Sequence, residues 1–522
     1  MFNLTTIELD VAFAAINHHG YSTMLPEPSE WSVVKNNWEA IRLSIEKIDL
    51  DNYEPYTVSK VFAPKSRSNI RVTHLLHPQD LLIYTALVLI ASPDIEAARL
   101  SKKAKRVFSY RIDGSAGVLY KSKGTFEAYL QQLSSKSEKA SAKFVALADI
   151  ADFYPRIYQH RLENVIESVA RNQRTTDVAR VLVRKFISNL MGRNSYGIPV
   201  GPYASRILGE AVLIDVDANL QSQGVDFVRW VDDYNIFCKT EYEAQSILFT
   251  LAEWLFTNHG LTLQSAKSKI LPIDKYRSEI LIHPGEELTD RDTVVQVLRE
   301  FRIGYEGDED EEEPDEQEIA ETLAVLQGID LKGMLEESLA DTALVDYEAV
   351  TYALVKLPRI PGIEDDVKHE VLNLIIDNAE LLYPVAEYIA KYILSFNNLT
   401  AKDQKKIASK LLKPLKSKRN PPPPYYAMWI LYIFSTSSNW NHVADIVSLY
   451  RESKSEIIKR YAALAVHISG SRADALNMKD DFVAASPMLK SAILFATRKL
   501  GVDERKHWKL SVGVSGLLEK SI

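Results

Sequence analysis

Cysteine is almost absent from this 522-residue chain: Cys238 stands alone, which excludes an intramolecular disulfide framework and a thiolate zinc site. A reducing, cytoplasmic setting is the expectation that follows. No run of about 18 apolar residues occurs, so no transmembrane helix is expected. The N-terminal stretch MFNLTTIELDVAF lacks the basic segment that opens a signal peptide. What is present has the balance of a soluble globular protein, 46% hydrophobic and 25% charged. The length exceeds what one core can hold, so two or more domains are expected.

The net charge of -8 conceals an uneven distribution. Residues 306–318 (EGDEDEEEPDEQE) carry ten acids and no base; without those ten the remaining chain is formally +2. Residues 402–419 (KDQKKIASKLLKPLKSKR) carry eight bases and one acid, and SKKAKR at 101–106 is a second basic cluster. Each basic run reads either as a solvated helix face or as a contact for nucleic-acid or nucleotide phosphates. The acidic run marks a boundary, because dense like charge with Gly and Pro buries too little apolar surface to fold. The expected division is 1–300, an acidic linker at 301–320, and 321–522.

Before the linker the patterns are mixed. Helical periodicity fits PQDLLIYTALVLIASPDIEAARL and YEAQSILFTLAEWLFTNHG, while KFVALADI and VDFVRWVDDYNIFCKT read as strands, the latter folding on itself as a hairpin. After the linker the chain reads as helices of 12–20 residues with short polar joints. That arrangement resembles an α-solenoid of the HEAT type. The NPPPP tract at 420–424 is expected to be a stiff, non-helical joint.

Asp232 and Asp233 sit inside the apolar run VRWVDDYNIF. Buried acids without partners protonate or destabilise the fold, whereas a divalent cation keeps their charge tenable. A third acid, Asp149, ends the strand-like KFVALAD upstream. Asp149 with Asp232, from neighbouring strands, would bridge two Mg²⁺ ions, with Mn²⁺ as the substitute, the requirement for in-line nucleotidyl transfer. The competing reading makes each a turn-capping aspartate. Between them Gly197 and Gly201 flank Pro199 in a loop where backbone passes close to something bulky, and a helix begins near Ser205. After the hairpin, GLTLQSAKSKI places Lys267 where it can face the same cleft.

The order of these boxes resembles the palm of reverse transcriptases over roughly residues 60–285. Asp149 to Tyr154 (DIADFY) match the first box, Gly197 to Ser205 (GIPVGPYAS) the second, Trp230 to Asp233 (WVDD) the third, and Gly260 to Ser268 (GLTLQSAKS) the fourth. The third box has Trp230 where Tyr or Phe is usual, and Val200 stands where templated members carry Gln. With the HLLHPQDLLIYTAL segment and the helical C-terminal half, these features resemble the abortive-infection reverse transcriptases, bacterial phage-defence proteins of the AbiK and Abi-P-two group.

The resemblance implies an α+β architecture of fingers and palm followed by an all-α, HEAT-like domain. It implies that Asp149 and Asp232 hold metal, with Ile150 and Asp233 beside them. Lys267 would neutralise or protonate the leaving pyrophosphate. Asp152, Phe153 and Tyr154, with Gly197, Pro199 and Gly201, would shape the nucleotide site, the Tyr154 ring crowding the sugar 2′ carbon. Lys65, Arg67 and Arg71 would reach the triphosphate, surface charge being the other reading of all three. Trp230 would lie beside the primer end. The implied activity is untemplated, protein-primed DNA synthesis from dNTPs, with single-stranded DNA attached through one of the 25 tyrosines. A homo-oligomer, trimer before hexamer, and no membrane partner are also implied. Two alternatives remain open: a retron-like enzyme copying a structured RNA, and a palm without chemistry that only binds nucleic acid.

Overall fold

The structure is a computed structural model that describes the chain apart from residues 67–68, 113, 116, 122–123, 282–330, 341–344 and 360–364. The acidic run and the whole of the expected linker lie outside the described residues. The first half opens with helices α1 (Thr6–His19), α2 (Ser29–Asn36) and α3 (Trp38–Glu46), then the hairpin β1 (Ser59–Ser66) and β2 (Asn69–Leu75), and then α4 (Pro78–Ala98). Helix α5 (Thr125–Ser137) leads into β3 (Phe144–Asp149) and the short α6 (Phe153–Arg156). Helices α7 (Gln159–Val169), α8 (Gln173–Ala179), α9 (Ser188–Leu190), α10 (Ala204–Val212) and α11 (Ile214–Ser222) follow. The half closes with β4 (Phe227–Trp230), β5 (Asp233–Cys238), α12 (Glu241–His259), β6 (Lys269–Pro272) and α13 (Ile273–Glu279).

Four strands form one sheet in the order β4-β5-β3-β6, every neighbour antiparallel. The expected hairpin is there, with Trp230 opposite Asp233 and only Val231 and Asp232 in its turn. Residues of β5 alternate between faces: Tyr234 meets the acid of Asp217 on α11, while Asn235 meets the Tyr129 hydroxyl of α5. Both sides of the sheet are therefore covered, and β3 to β5 are almost wholly buried.

Helix α4 departs from one expectation. It is long and apolar enough to cross a membrane by length and composition, but 67% of its apolar window is buried inside the fold. It is the core helix of this half, beginning at the His77 cap and a Pro at its first turn.

The second half is helical throughout its described residues, as expected. Helices α14 (Leu331–Ala340), α15 (Tyr347–Lys356), α16 (Asp365–Asp377), α17 (Ala386–Leu394), α18 (Ala401–Leu415) and α19 (Pro424–Phe434) come first. Then come α20 (Val443–Glu452), α21 (Glu456–Ser469), α22 (Arg472–Lys479), α23 (Pro487–Ala496), α24 (Val502–Ser511) and α25 (Leu517–Ser521). The proline tract corrects the sequence expectation at its last member: Pro424 is the first residue of α19. Its missing N–H costs nothing there, because the first helical N–H groups have no intrahelical acceptor.

The halves are tied by buried charge. Arg460 of α21 forks onto Glu30 of α2, each nitrogen 2.7 Å from its own carboxylate oxygen, with both side chains essentially inaccessible. At the far end of the chain Glu519 lies 3.5 Å from His77 at the cap of α4.

Candidate active site

Strand β3 ends on Asp149, whose register partner across the sheet is Asp233, the first residue of β5. The pairing corrects a detail: the sequence pointed to Asp232 as the cross-strand partner, and Asp232 instead lies in the turn, its carbonyl accepting from Ile150 N–H at 3.3 Å. The fourth box folds against the end of β3. Gln264 N–H donates to Asp149 O at 2.7 Å, Ala151 N–H to Thr262 O at 2.8 Å, and Ser268 Oγ accepts from Asp149 N–H at 3.4 Å. This brings Lys267 Nζ to 2.5 Å from Asp149 Oδ2.

Electrostatics matches that geometry. Burial raises the Asp149 pKa, the Lys267 hydrogen bond opposes the rise, and the charge of Asp233 adds to it, leaving Asp149 above the usual carboxylate value. Burial also works against the Lys267 charge, but Asp149, Asp233 and Asp232 outweigh it and hold its pKa high. The two partners do not shift in opposite directions, as a simple ion pair would. The reason is burial first, which raises Asp149 more than the Lys267 hydrogen bond lowers it, with the charge of Asp233 adding to the rise.

The turn carrying Asp232 is strained. Val231 has φ +51°, a left-handed conformation that a β-branched residue adopts only under constraint. The constraint is visible. Val231 N–H donates to Ser109 Oγ at 3.0 Å, and its carbonyl accepts from Arg229 Nη1 at 2.6 Å. Arg229 is fully buried on β4 and divides its remaining donors between Asp217 (2.6 Å) and Glu210 (2.9 Å). Burial opposes the Arg229 charge, and Asp217 and Glu210 restore it, so its pKa stays well above normal. Arg99 adds a second guanidinium 2.6 Å from Glu210. Sequence reasoning missed this network. Its one local signal was an arginine inside a strand otherwise apolar up to the turn.

The second box is clasped on both sides. Val200 N–H donates to His74 Nδ1 at 3.0 Å, while His74 N–H and Thr73 Oγ1 both donate to the Val200 carbonyl, at 2.8 and 3.1 Å. Burial, and then the charge of Lys60, push the His74 pKa down to about 4, in keeping with a neutral ring that accepts. Gly201 has φ +114°, and a Cβ there would come within 2.8 Å of Thr73 Oγ1. Ser205 Oγ donates to Pro199 O at 2.6 Å and meets the Tyr84 hydroxyl at 2.8 Å. Gly197 N–H donates to Ile157 O, and its carbonyl accepts from Gln159 Nε2. The loop is joined to the first box where Ile198 N–H donates to Tyr154 O at 3.2 Å.

Phe153 and Tyr154 pack ring to ring at 5.4 Å against Gly209 of α10, where an added Cβ would be 3.2 Å from the Tyr154 ring. Asp152 has φ +47° and an exposed carboxylate 3.6 Å from Arg156. Trp230 is buried rather than open to a cleft, its ring 4.9 Å from Phe126 and 5.5 Å from Tyr129. Lys65 and Arg71 lie on the β1–β2 hairpin, Arg71 opposite Ala63. Arg67 is outside the described residues. The hairpin meets the site through Thr73 and His74 instead. Of the basic runs, Arg106 donates to Val225 O and lies over the Phe227 ring, while Lys410, Lys416 and Lys418 pair with Asp377, Asp445 and Glu452. Those side chains read as structural.

Two strand-borne carboxylates beside a turn, a lysine on one of them and a clasped glycine loop form one constellation. The family model of reverse transcriptase (RNA-dependent DNA polymerase) matches residues 99–287, which contain all four boxes. The chain carries a reverse transcriptase domain. By that domain it is a nucleotidyltransferase, and reverse transcriptases generally use divalent metal ions. No curated protein matches the chain. Among the solved structures that align with it are two telomerases. One is telomerase from Candida albicans in complex with a TWJ fragment of telomeric RNA, 12% identical over 83% of this chain and 71% of that one, TM-score 0.30. The other is apo telomerase from Candida tropicalis, 10% identical over 84% and 74%, TM-score 0.32.

The reverse transcriptase domain must also suit a metal. Among the described residues no three His, Cys, Asp or Glu side chains are gathered closely enough to hold an ion. The donor chemistry nevertheless fits: Asp149 and Asp233 are hard oxygen donors side by side, and the Lys267 ammonium stands in for a cation against them.

Proposed function

We propose that the reverse transcriptase domain is a Mg²⁺-dependent DNA polymerase that extends DNA without copying a template. The observation that carries the polymerase reading is the convergence of Asp149, Asp233 and Lys267 where the strained turn presents Asp232. Asp149, Asp232 and Asp233 would hold the metal ions, with Ile150 beside them. Bound there, the ions would supply activation of the attacking hydroxyl and neutralisation of the pyrophosphate. Lys267 holds a proton beside the carboxylates and can deliver it to the leaving group. The half-buried Tyr154 would select against a 2′-hydroxyl.

The untemplated part of the proposal rests on Val200. Its backbone groups are committed to His74 and Thr73, and its buried apolar side chain offers a base pair neither donor nor acceptor. Protein priming, a homo-oligomer, HEAT-like packing over 321–522, polymerase modules over 1–300 and a role in abortive infection in a bacterial cytoplasm complete the proposal. Tyr196, half-exposed and immediately before Gly197, is a tyrosine that adjoins the second box.

The test is incubation of purified protein with Mg²⁺ and labelled dNTPs, resolved on a denaturing gel. Label migrating with the protein is expected from the wild type and not from Asp232→Ala. Equal incorporation by that variant would overturn the site. A product of fixed complementary sequence would favour the templated reading.

A further inference from the structure

The segment between α4 and α5 lies outside all four boxes, yet it reaches the third. Val107 bridges Arg229 in parallel, with Arg229 N–H donating to Arg106 O at 2.7 Å and Phe108 N–H to Arg229 O at 3.4 Å. Strand β4 is an edge of the sheet, so residues 106–108 run along that edge and deliver Ser109 to the turn that follows Trp230. Arg99 fixes the segment from behind, its two terminal nitrogens donating to the Ser109 and Tyr110 carbonyls at 2.7 and 2.9 Å. Tyr110 has φ +45°, a left-handed conformation rare without glycine. Its ring lies 6.3 Å from Trp230 and 4.8 Å from the guanidinium of Arg206, the residue after the second box.

Ser109 is fully buried, and its single hydroxyl hydrogen has one place to go. Burial pushes the Glu210 pKa up, but the charges of Arg229 and Arg99, with hydrogen bonds from Arg229 and Ser109, bring it below the usual carboxylate value. Glu210 is therefore ionised at neutral pH and can only accept. Ser109 donates to Glu210 Oε1 at 2.5 Å, which leaves its oxygen to accept from Val231 N–H at 3.0 Å. Alanine in its place would strand that N–H, since Val231 is itself buried.

We infer that Ser109 is a positioning residue for the polymerase centre, holding Val231 in the left-handed conformation that presents Asp232 and starts β5 at Asp233. The inference rests on the polymerase reading above and adds a residue that no box contains. A β-branched residue keeps φ near +50° only while its surroundings over-determine it. Arg229 holds the carbonyl of Val231, and Ser109 holds its N–H. Arg229 also balances two buried acids, so its loss mixes stability with chemistry. Ser109 carries no charge, and losing its hydroxyl acts on the turn more selectively. A relaxed Val231 would draw the Asp232 carbonyl from Ile150 N–H and Asp233 from its place opposite Asp149.

The test compares Ser109→Ala with Ser109→Ala/Val231→Gly in the full chain. In Ser109→Ala, kcat for dNTP incorporation is expected to fall roughly tenfold or more, and the half-maximal Mg²⁺ concentration to rise roughly threefold. Glycine adopts positive φ without support, so the double variant should regain turnover although its melting temperature falls further. A merely structural serine predicts the reverse, with turnover and melting temperature falling together in the double variant, and that result would overturn the inference. So would unchanged kcat and Mg²⁺ dependence in Ser109→Ala. Hydrogen exchange of the segment 228–236 reads the same hold without any turnover: it should quicken in Ser109→Ala while exchange in α4 stays unchanged. Equal protection of that segment in both proteins counts against Ser109 alone, whereas a wild type that incorporates no label counts against the polymerase reading.

Discussion

Asp149 and Asp233 stand directly opposite each other on adjoining strands, and Lys267 Nζ lies 2.5 Å from Asp149. Like charges at such a position destabilise a sheet unless something offsets them. Lys267 lowers the Asp149 pKa against burial and Asp233, so Lys267→Gln is expected to raise it further. Catalysis needs the ionised carboxylate, so the acid limb of the kcat/KM profile should move to higher pH, and the plateau should fall by roughly 100-fold or more with the proton donor gone. An unmoved acid limb would separate the lysine from the aspartate.

Arg229 supports the turn and also balances two buried acids. Arg229→Met would leave Asp217 with no guanidinium and strip one of two from Glu210. A loss of about 3–5 kcal/mol is expected from removing one partner of a buried pair. Adding Asp217→Asn should recover part of that loss, read from urea unfolding midpoints, while activity stays low because the Val231 carbonyl has lost its donor.

His74 sets an acid limit on stability. Its folded pKa is depressed from 6.5 to about 4, so its contribution is complete above pH 6.5 and is lost as pH falls from there through about 4. The full effect is on the order of 3 kcal/mol. His467, also lowered to about 4 by burial and neighbouring cations, adds a second loss in the same window. His74→Gln, which keeps an acceptor for Val200 N–H, should show a shallower decline between pH 6.5 and 4 in chemical denaturation.

Gly209 is the floor beneath the proposed sugar-sensing ring. Gly209→Ala brings a methyl to 3.2–3.4 Å from Tyr154 and Phe153, closer than these rings tolerate without shifting. Discrimination between dNTPs and rNTPs is expected to change in this variant, and Tyr154→Ala should relax it further. Competition assays with labelled dATP and ATP measure both, and unchanged selectivity in Tyr154→Ala would remove that residue from the sugar site.

Trp230 is a packing residue in an aromatic group with Phe126 and Tyr129. Trp230→Tyr should therefore keep most activity, since a smaller ring still fills much of the site. Trp230→Ala should cost about 3–5 kcal/mol. Thermal melts with activity at 20 °C below the midpoint distinguish lost packing from lost chemistry. A folded but inactive Trp230→Tyr would contradict this.

Local patterns carried much of this organisation. The hairpin, the ends of β3 and α12, the second-box loop and the helical second half follow from periodicity and turn residues, because each depends on neighbours a few positions away. What the sequence did not disclose depends on partners far along the chain. Glu210, Asp217 and Arg229 are ordinary charged residues until α10, α11 and β4 meet, and His74 gains meaning only when Val200, 126 residues later, folds onto it. The Asp149–Asp233 register needed the strands to be aligned, since a shift by one would have chosen Asp232. The burial of Trp230 depended on α5, which no motif announced.

The Glu30–Arg460 pair spans 430 residues, and this gives the chain a schedule as well as a fastening. At about 5–20 residues per second of synthesis, Glu30 leaves the ribosome roughly 20–90 seconds before its counter-ion exists. In that interval α2 carries a carboxylate that has to remain hydrated, so the surface that later receives α21 stays open to water. The first half thus waits for the last third of its own chain before Glu30 is paired. A ribosome that stalls or terminates early in the helical half would release a protein with all its catalytic boxes and an unfinished flank, a ready substrate for chaperones and proteases.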